Sequence, residues 1–153
     1  MGRTNKETFS EERAWWHESG LRFSCRECGR CCGGEPGDIW VTADETKNIA
    51  EFLKISEVDF AEKYTRGTAG RVSIKDIAEK NYDCIFLDSE TRHCRIYPVR
   101  PQQCRLFPFW SSMLEDKDEW DYYASKCPGM DNDRMYTKEE IAEMLRNEKA
   151  YSR

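Results

Sequence analysis

Four of the chain's eight cysteines fall within eight residues, in the run Cys25-Arg-Glu-Cys28-Gly-Arg-Cys31-Cys32, and the other four stand singly at Cys84, Cys94, Cys104 and Cys127. Packing does not call for four thiols at that density. Soft thiolates select zinc, copper(I) or iron–sulfur clusters, so the run predicts a metal-centre protein. A reducing interior would keep these thiols from pairing as disulfides. The N-terminus offers no basic stretch leading into an apolar one, and no segment approaches the roughly 18 apolar residues of a membrane span. A cytoplasmic protein without a membrane partner is the expectation, with cysteines serving as ligands.

A chain of 153 residues fits one domain. Only 39% of its residues are hydrophobic and 35% are charged, so the core should be thin and metal ligation could add folding energy directly. The net charge of −5 conceals local bias. Arg22 precedes the cysteine run and Arg26 and Arg30 lie within it, and Arg92, Arg95, Arg100 and Arg105 follow Cys84. A multi-thiolate centre is anionic and gains from nearby guanidinium groups.

Local patterns predict an α+β domain: a short antiparallel hairpin sheet and several helices around a cysteine-ligated centre. Ser10 to Gly20 has the cap and stop of a helix within an N-terminal segment 1–22. Asp38–Val41, Val72–Ile74, Cys84–Leu87, Cys94–Tyr97 and Trp120–Ala124 are expected strands. Capping sequences beginning at Thr42, Ser56 and Thr137 open helices, the last forming the C-terminal segment 137–153. Pro101 can start a short helix carrying Cys104. His17 reads as an exposed or capping histidine, and His93 as a turn residue rather than a ligand. The aromatic run Leu106-Phe-Pro-Phe-Trp110 should wall a core.

The opening C-x2-C-x2-C spacing resembles the ferredoxin run that supplies three ligands to a four-iron cluster. Adjacent side chains usually diverge, so Cys32 is expected to serve a second centre or another metal of a polynuclear one. Zinc sites, by contrast, commonly draw four ligands from two separate knuckles. Catalytic signatures are missing: there is no GxSxG, no phosphate-binding loop and no dinucleotide motif.

Phe23-Ser-Cys-Arg-Glu-Cys-Gly-Arg-Cys-Cys32, Cys84-Ile-Phe-Leu-Asp88, Cys94-Arg-Ile-Tyr-Pro-Val-Arg-Pro-Gln-Gln-Cys104-Arg-Leu-Phe-Pro-Phe-Trp110 and Cys127-Pro-Gly129 together resemble the CxxCxxCC, or YkgJ-type, cysteine cluster family, over a core of about 23–129. The resemblance implies chelation of zinc or iron by Cys25, Cys28, Cys31, Cys32, Cys84, Cys94, Cys104 and Cys127. Arg100 and Arg105 fall on the family's RP…CR.FP signature, and charge compensation at the centre is their expected role. Some larger relatives carry a lysine-methylase label, which this short chain gives no cofactor pocket to support. An iron–sulfur centre, four-iron in type, serving redox chemistry, sensing or a protein-modification step is the favoured expectation. A structural zinc domain that binds protein or nucleic acid is the alternative. A protein partner is expected in either case, and nothing in the sequence names it.

Overall fold

The computed structural model describes residues 14–68 and 70–151. In chain order the elements are β1 (Leu21–Phe23), a 3-10 turn (Arg30–Cys32), β2 (Ile39–Trp40), α1 (Ala43–Leu53), α2 (Glu57–Tyr64), β3 (Thr65–Thr68), β4 (Arg71–Ile74), β5 (Asp76–Ile77) and a second 3-10 turn (Ala78–Lys80). Then come β6 (Asp83–Cys84), a third 3-10 turn (Tyr97–Val99), α3 (Gln102–Leu106), α4 (Ser111–Leu114), α5 (Lys117–Ala124), β7 (Met130–Tyr136) and α6 (Lys138–Tyr151). Short antiparallel sheets and helices make this the expected small α+β fold. The chain divides into two compact units, a cysteine-rich one of residues 25–107 with 148–153, and an aromatic one of residues 1–24 with 108–147.

In the cysteine-rich unit a three-stranded antiparallel sheet, ordered β2-β4-β3, is backed by α1 and α2. The helices start where side chains satisfy their first amides. Thr42 Oγ1 accepts from Glu45 N at 3.2 Å while Glu45 Oε2 accepts from Thr42 N at 2.9 Å, a complete capping box. Ser56 accepts from Asp59 N at 3.0 Å at the head of α2. Ile49, Ala50, Phe60, Ile74, Phe86 and Ile96 form the core. Phe86 stacks on Phe60, with centroids 6.2 Å apart and planes 7° apart, and on Tyr64 at 4.8 Å. Two of those core residues, Phe86 and Ile96, each follow a cysteine by two positions.

The aromatic unit has its own core. Trp16, Leu21, Phe109, Met113, Leu114, Trp120, Met130 and Ile141 are buried there. Phe109, from the aromatic run, meets Phe23 edge-on at 6.1 Å, Trp120 at 6.0 Å and Tyr136 at 4.7 Å, so the run does wall a core. Strands β1 and β7 pair antiparallel, but the register jumps between Arg22↔Met135 and Phe23↔Met130. That jump leaves Asp131 to Arg134 bulged, and Asp131 and Asp133 both take left-handed φ of 61°. Asp131 uses its turn to accept the Trp120 indole N–H at 2.9 Å.

Two expectations are corrected. Trp120 to Ala124 lies in helix α5, not a strand, because Asp116 caps it by accepting from Glu119 N at 2.9 Å and fixes the helical start. Part of the expected helix from Ser10 falls outside the described residues; the rest, from Trp15 to Ser19, is a turn closed by Gly20 N donating to Trp16 O at 3.0 Å. No helix among the described residues is long and apolar enough to cross a membrane.

Candidate metal centre

The cysteine run lies against the segment carrying Cys84 and Cys94, and two glycines let it come that close. Gly29 has φ of 73°, and a Cβ there would collide with the Arg92 carbonyl oxygen and stand 2.7 Å from Leu87 Cδ1. A Cβ on Gly33 would run into the Asp83 carboxylate. Between these glycines the chain makes the 3-10 turn Arg30–Cys32, with Cys32 N donating to Gly29 O at 3.1 Å. Gly34 N donates to Asn81 O at 2.9 Å, and Arg92 bridges to Asp83 at 2.6 Å. The loop is thus fixed to the segment through backbone, and the Arg92–Asp83 bridge holds that segment in shape.

Cys84–Leu87 and Cys94–Tyr97, expected as strands, are instead a matched pair of turns. Leu87 N donates to Cys84 O at 2.9 Å, and Tyr97 N to Cys94 O at 3.2 Å. In each turn the amide two residues after the cysteine, Phe86 N or Ile96 N, donates to its sulfur. Cys25 has the same arrangement with Glu27 N, at 3.4 Å. The strand pattern gives way because turning the backbone aims an amide at sulfur while the same residue, Phe86 or Ile96, buries its side chain in the core. The two turns join through the Leu87↔Cys94 bridge and through Arg95 N donating to Phe86 O at 2.8 Å. Amide hydrogen bonds to sulfur favour the thiolate, which is the form a metal takes.

Five thiols of this unit share one electrostatic environment. Cys31 bears on Cys84, Cys94 and Cys104, and Cys32 feels Cys31, Cys84 and Cys104. Burial pushes Cys84 up to about 11 and raises Cys94 and Cys104 as well, with neighbouring sulfurs adding to the effect. Cys31 and Cys32 stand 3.9 Å apart, sulfur to sulfur. The hydrogen bond they share splits them, holding Cys31 below its usual value and, with burial, Cys32 above it. The expectation that the adjacent side chains diverge is therefore overturned: the tight 3-10 turn brings both sulfurs to one side.

Arg100 faces these thiols. Its charge favours the ionised forms of Cys31, Cys94 and Cys104, its guanidinium lies 3.7 Å from the centroid of the Tyr97 ring, and its buried Nε has no hydrogen-bond partner. A donor left over beside a group of thiols suits an anionic thiolate or sulfide acceptor. Arg105 is exposed and lines a shallow hollow with Glu45, Glu51 and Arg100. Tyr97 hydrogen-bonds to Arg100 and to Cys25, and its hydroxyl is raised overall because burial and Cys25 outweigh the pull of Arg100. Cys28 lies near Arg92. Cys127 belongs to the aromatic unit, where its amide donates to Tyr123 O at 2.9 Å just after α5. His93 occupies a turn, exposed as expected. Among the described residues, no three His, Cys, Asp or Glu side chains are close enough to hold a metal ion as they stand. The donor chemistry fits zinc or iron, which these cysteines would hold as thiolates.

The sequence reading counted Arg92 among the arginines near the thiols but missed Asp83 and Tyr97 as supports of this site. The signal was present in Cys84-Ile-Phe-Leu and Cys94-Arg-Ile-Tyr, which share a cysteine followed at the second place by a large apolar residue.

The family model for CxxCxxCC, described as “Putative zinc- or iron-chelating domain”, matches residues 24–128. The chain belongs to the CxxCxxCC family. An uncharacterized protein of Methanocaldococcus jannaschii is 37% identical over 92 residues, which are 60% of this chain and 47% of the relative. The matched stretch thus spans about half the length of that relative. No solved structure matches the chain.

Proposed function

We propose that this CxxCxxCC protein carries an iron–sulfur centre held by cysteine thiolates and used for electron transfer, sensing or assistance to the modification of a partner protein. The observation that carries this reading is the gathering of Cys31, Cys32, Cys84, Cys94 and Cys104 into one environment beside the unpaired Nε of Arg100. Burial and positive charge near a cluster set its reduction potential. When bound, the cluster supplies one-electron chemistry. The protein's own part is to present thiolates, donate amide hydrogen bonds to sulfur and keep a guanidinium alongside. Cys25 and Cys28 complete the proposed ligand set of this unit, and Cys127 is a further proposed ligand carried by the aromatic unit.

The alternative is a structural zinc domain that engages a protein or nucleic acid. The matched turns at Cys84 and Cys94 support it as well, since paired turns with an amide on each sulfur also suit a closed tetrahedral zinc site. Anaerobic purification followed by visible absorption and analysis of metal and acid-labile sulfide separates the two. A brown protein with iron and sulfide supports the first reading. A colourless one with stoichiometric zinc and no sulfide replaces it with the second.

A further inference from the structure

The cysteine-rich unit has a surface feature that metal ligation does not explain. Helix α1 packs beside the 3-10 turn Tyr97–Val99, and between α1 and the stretch from Pro98 to Arg105 lies an open hollow of about 470 Å³. Phe52 on α1 keeps 44% of its surface exposed, and with Pro98 and Val99 it gives the hollow an apolar lining. Arg100 and Arg105 add two guanidinium groups. Aromatic residues and arginine are the types enriched where proteins meet one another.

By count the two acids of the lining, Glu45 and Glu51, match its two arginines. They are engaged differently. Glu45 is committed to backbone: one carboxylate oxygen accepts from Thr42 N and the other from Gln102 N, both at 2.9 Å. These bonds tie α1 to the start of α3, and Gln103 ties α3 to β2 by accepting from Trp40 N and donating to Asp38 O, each at 3.0 Å. Arg105 is therefore carried on a helix clamped to both neighbours. Among the described residues its guanidinium makes no hydrogen bond or ion pair, with Glu51 or any other group. A rigidly mounted cation without a partner, beside an exposed aromatic ring, suits a ligand that brings a carboxylate and an apolar group together. Small-molecule sites enclose most of their ligand. This hollow is open, and it fits one side of a peptide chain that continues past it.

We propose that the hollow docks an acidic segment of a partner protein, with a carboxylate on the Arg105 guanidinium and the neighbouring apolar side chain against Phe52, Pro98 and Val99. Arginine suits this role because its planar fork takes a carboxylate through two parallel N–H···O bonds. Position gives the docking its purpose. Cys104 and Arg105 are consecutive on α3, the one grouped with the thiols and the other in the hollow, and Arg100 borders both. In that purpose, though not in the binding itself, the inference rests on the proposed metal-centre function and names the kind of partner it serves.

The test is fluorescence anisotropy on the full chain as purified under reducing conditions, with a labelled peptide of alternating leucine and glutamate as the probe. Arg105→Gln should weaken binding roughly tenfold, the loss expected for a charge-assisted pair, and Arg105→Lys should fall between the two. Phe52→Ala should weaken it about fivefold through lost apolar contact. Glu51→Gln removes the competing carboxylate and should tighten it. Lys63→Gln deletes a charge from α2, outside the hollow, and should leave it unchanged. The same peptide with glutamine in place of glutamate should bind roughly tenfold more weakly. Equal binding of the glutamine peptide, equal binding by Arg105→Gln, weaker binding by Glu51→Gln, or no binding of the glutamate peptide overturns the proposal. So does displacement by free glutarate at the concentrations at which unlabelled peptide competes, which would make this a site for small carboxylates.

Metal content followed in the same samples separates docking from the centre. Arg105→Gln should lose peptide and keep its metal. If it loses both, Arg105 belongs to the centre and the docking role fails. A colourless zinc protein that binds the peptide with the pattern above defeats the iron–sulfur function while leaving the docking site standing.

Discussion

At the scale of single residues, Arg100 stands out among the described residues for a buried donor without an acceptor. Its guanidinium stacks on Tyr97 at 3.7 Å and favours the charged forms of three cysteines, yet Nε lies buried with no acceptor. A buried donor without a partner costs roughly 1–3 kcal/mol. Such a cost is sensible where a thiolate or sulfide will become the acceptor. Arg100→Met keeps much of the apolar stem and deletes the charge, and we expect it to weaken metal binding roughly 10–100-fold, the usual effect of losing a supporting group around ligands. Competition with a chelator of known affinity measures this. Arg100→Lys should recover part of the affinity by restoring charge, but not all, because ammonium does not stack on Tyr97 or reproduce the Nε donor. Equal affinity for all three proteins would remove Arg100 from the site. Arg105, paired with it in the sequence reading, is exposed and makes the useful comparison.

At the scale of elements, the hairpin between Cys84 and Cys94 shows where sequence patterns stop being informative. Capping residues gave α1, α2 and α6 because those signals act within four residues: Thr42 with Glu45, Ser56 with Asp59, Thr137 with Glu140. Cys104 falls on the short helix that Pro101 was expected to start. The hairpin segments alternate like strands but are turned, since their geometry answers to sulfur–amide bonds and to the burial of Phe86 and Ile96, which no local pattern encodes. The convergence of Cys31 on Cys32 was likewise hidden, because it depends on Gly29 fitting beneath Arg92 some sixty residues later. The tip of the hairpin is held by Asp88, whose carboxylate accepts Thr91 N at 2.8 Å and Glu90 N at 2.9 Å. These amides lower the Asp88 pKa. A carboxylate with a depressed folded value stabilises the fold above its unfolded pKa, about 3.9, and that contribution is lost as pH falls through the folded value. Asp88→Asn keeps an acceptor but does not ionise there. In urea unfolding of the metal-free protein, the gap in stability between wild type and Asp88→Asn should be constant from neutrality down to about pH 5, then close as the pH falls below about 4. A gap that persists unchanged at pH 3 would mean that the charge of Asp88 does not hold the turn.

At the scale of the whole molecule, the physical question is what stabilises so polar a chain. With 39% hydrophobic and 35% charged residues, the chain has little apolar material to bury. The cysteine-rich unit closes on a small group of which Ile49, Phe60, Phe86 and Ile96 are the centre. Two of these four sit in the turns that carry Cys84 and Cys94, so the core and the thiols share a backbone. Metal binding to the thiols and burial of Phe86 and Ile96 are therefore coupled, and a ligand that binds only the folded form stabilises it by mass action, about 4 kcal/mol at a thousand times its dissociation constant. Removing metal from the purified protein with a chelator under reducing conditions should then lower the unfolding midpoint. Hydrogen exchange should locate the loss: amides of α2 and of the turns at Phe86 and Ile96 are expected to lose protection. The aromatic unit supplies an internal reference, because Trp120, Phe109 and Ile141 form a separate core with its own indole-to-Asp131 hydrogen bond. If chelation leaves α2 and the two turns as protected as before, the metal is bound without stabilising this unit, and the fold is held by its apolar core alone. If protection falls there first, the glycine-fitted loop, the paired turns and the buried aromatics act as one cooperative element that metal completes.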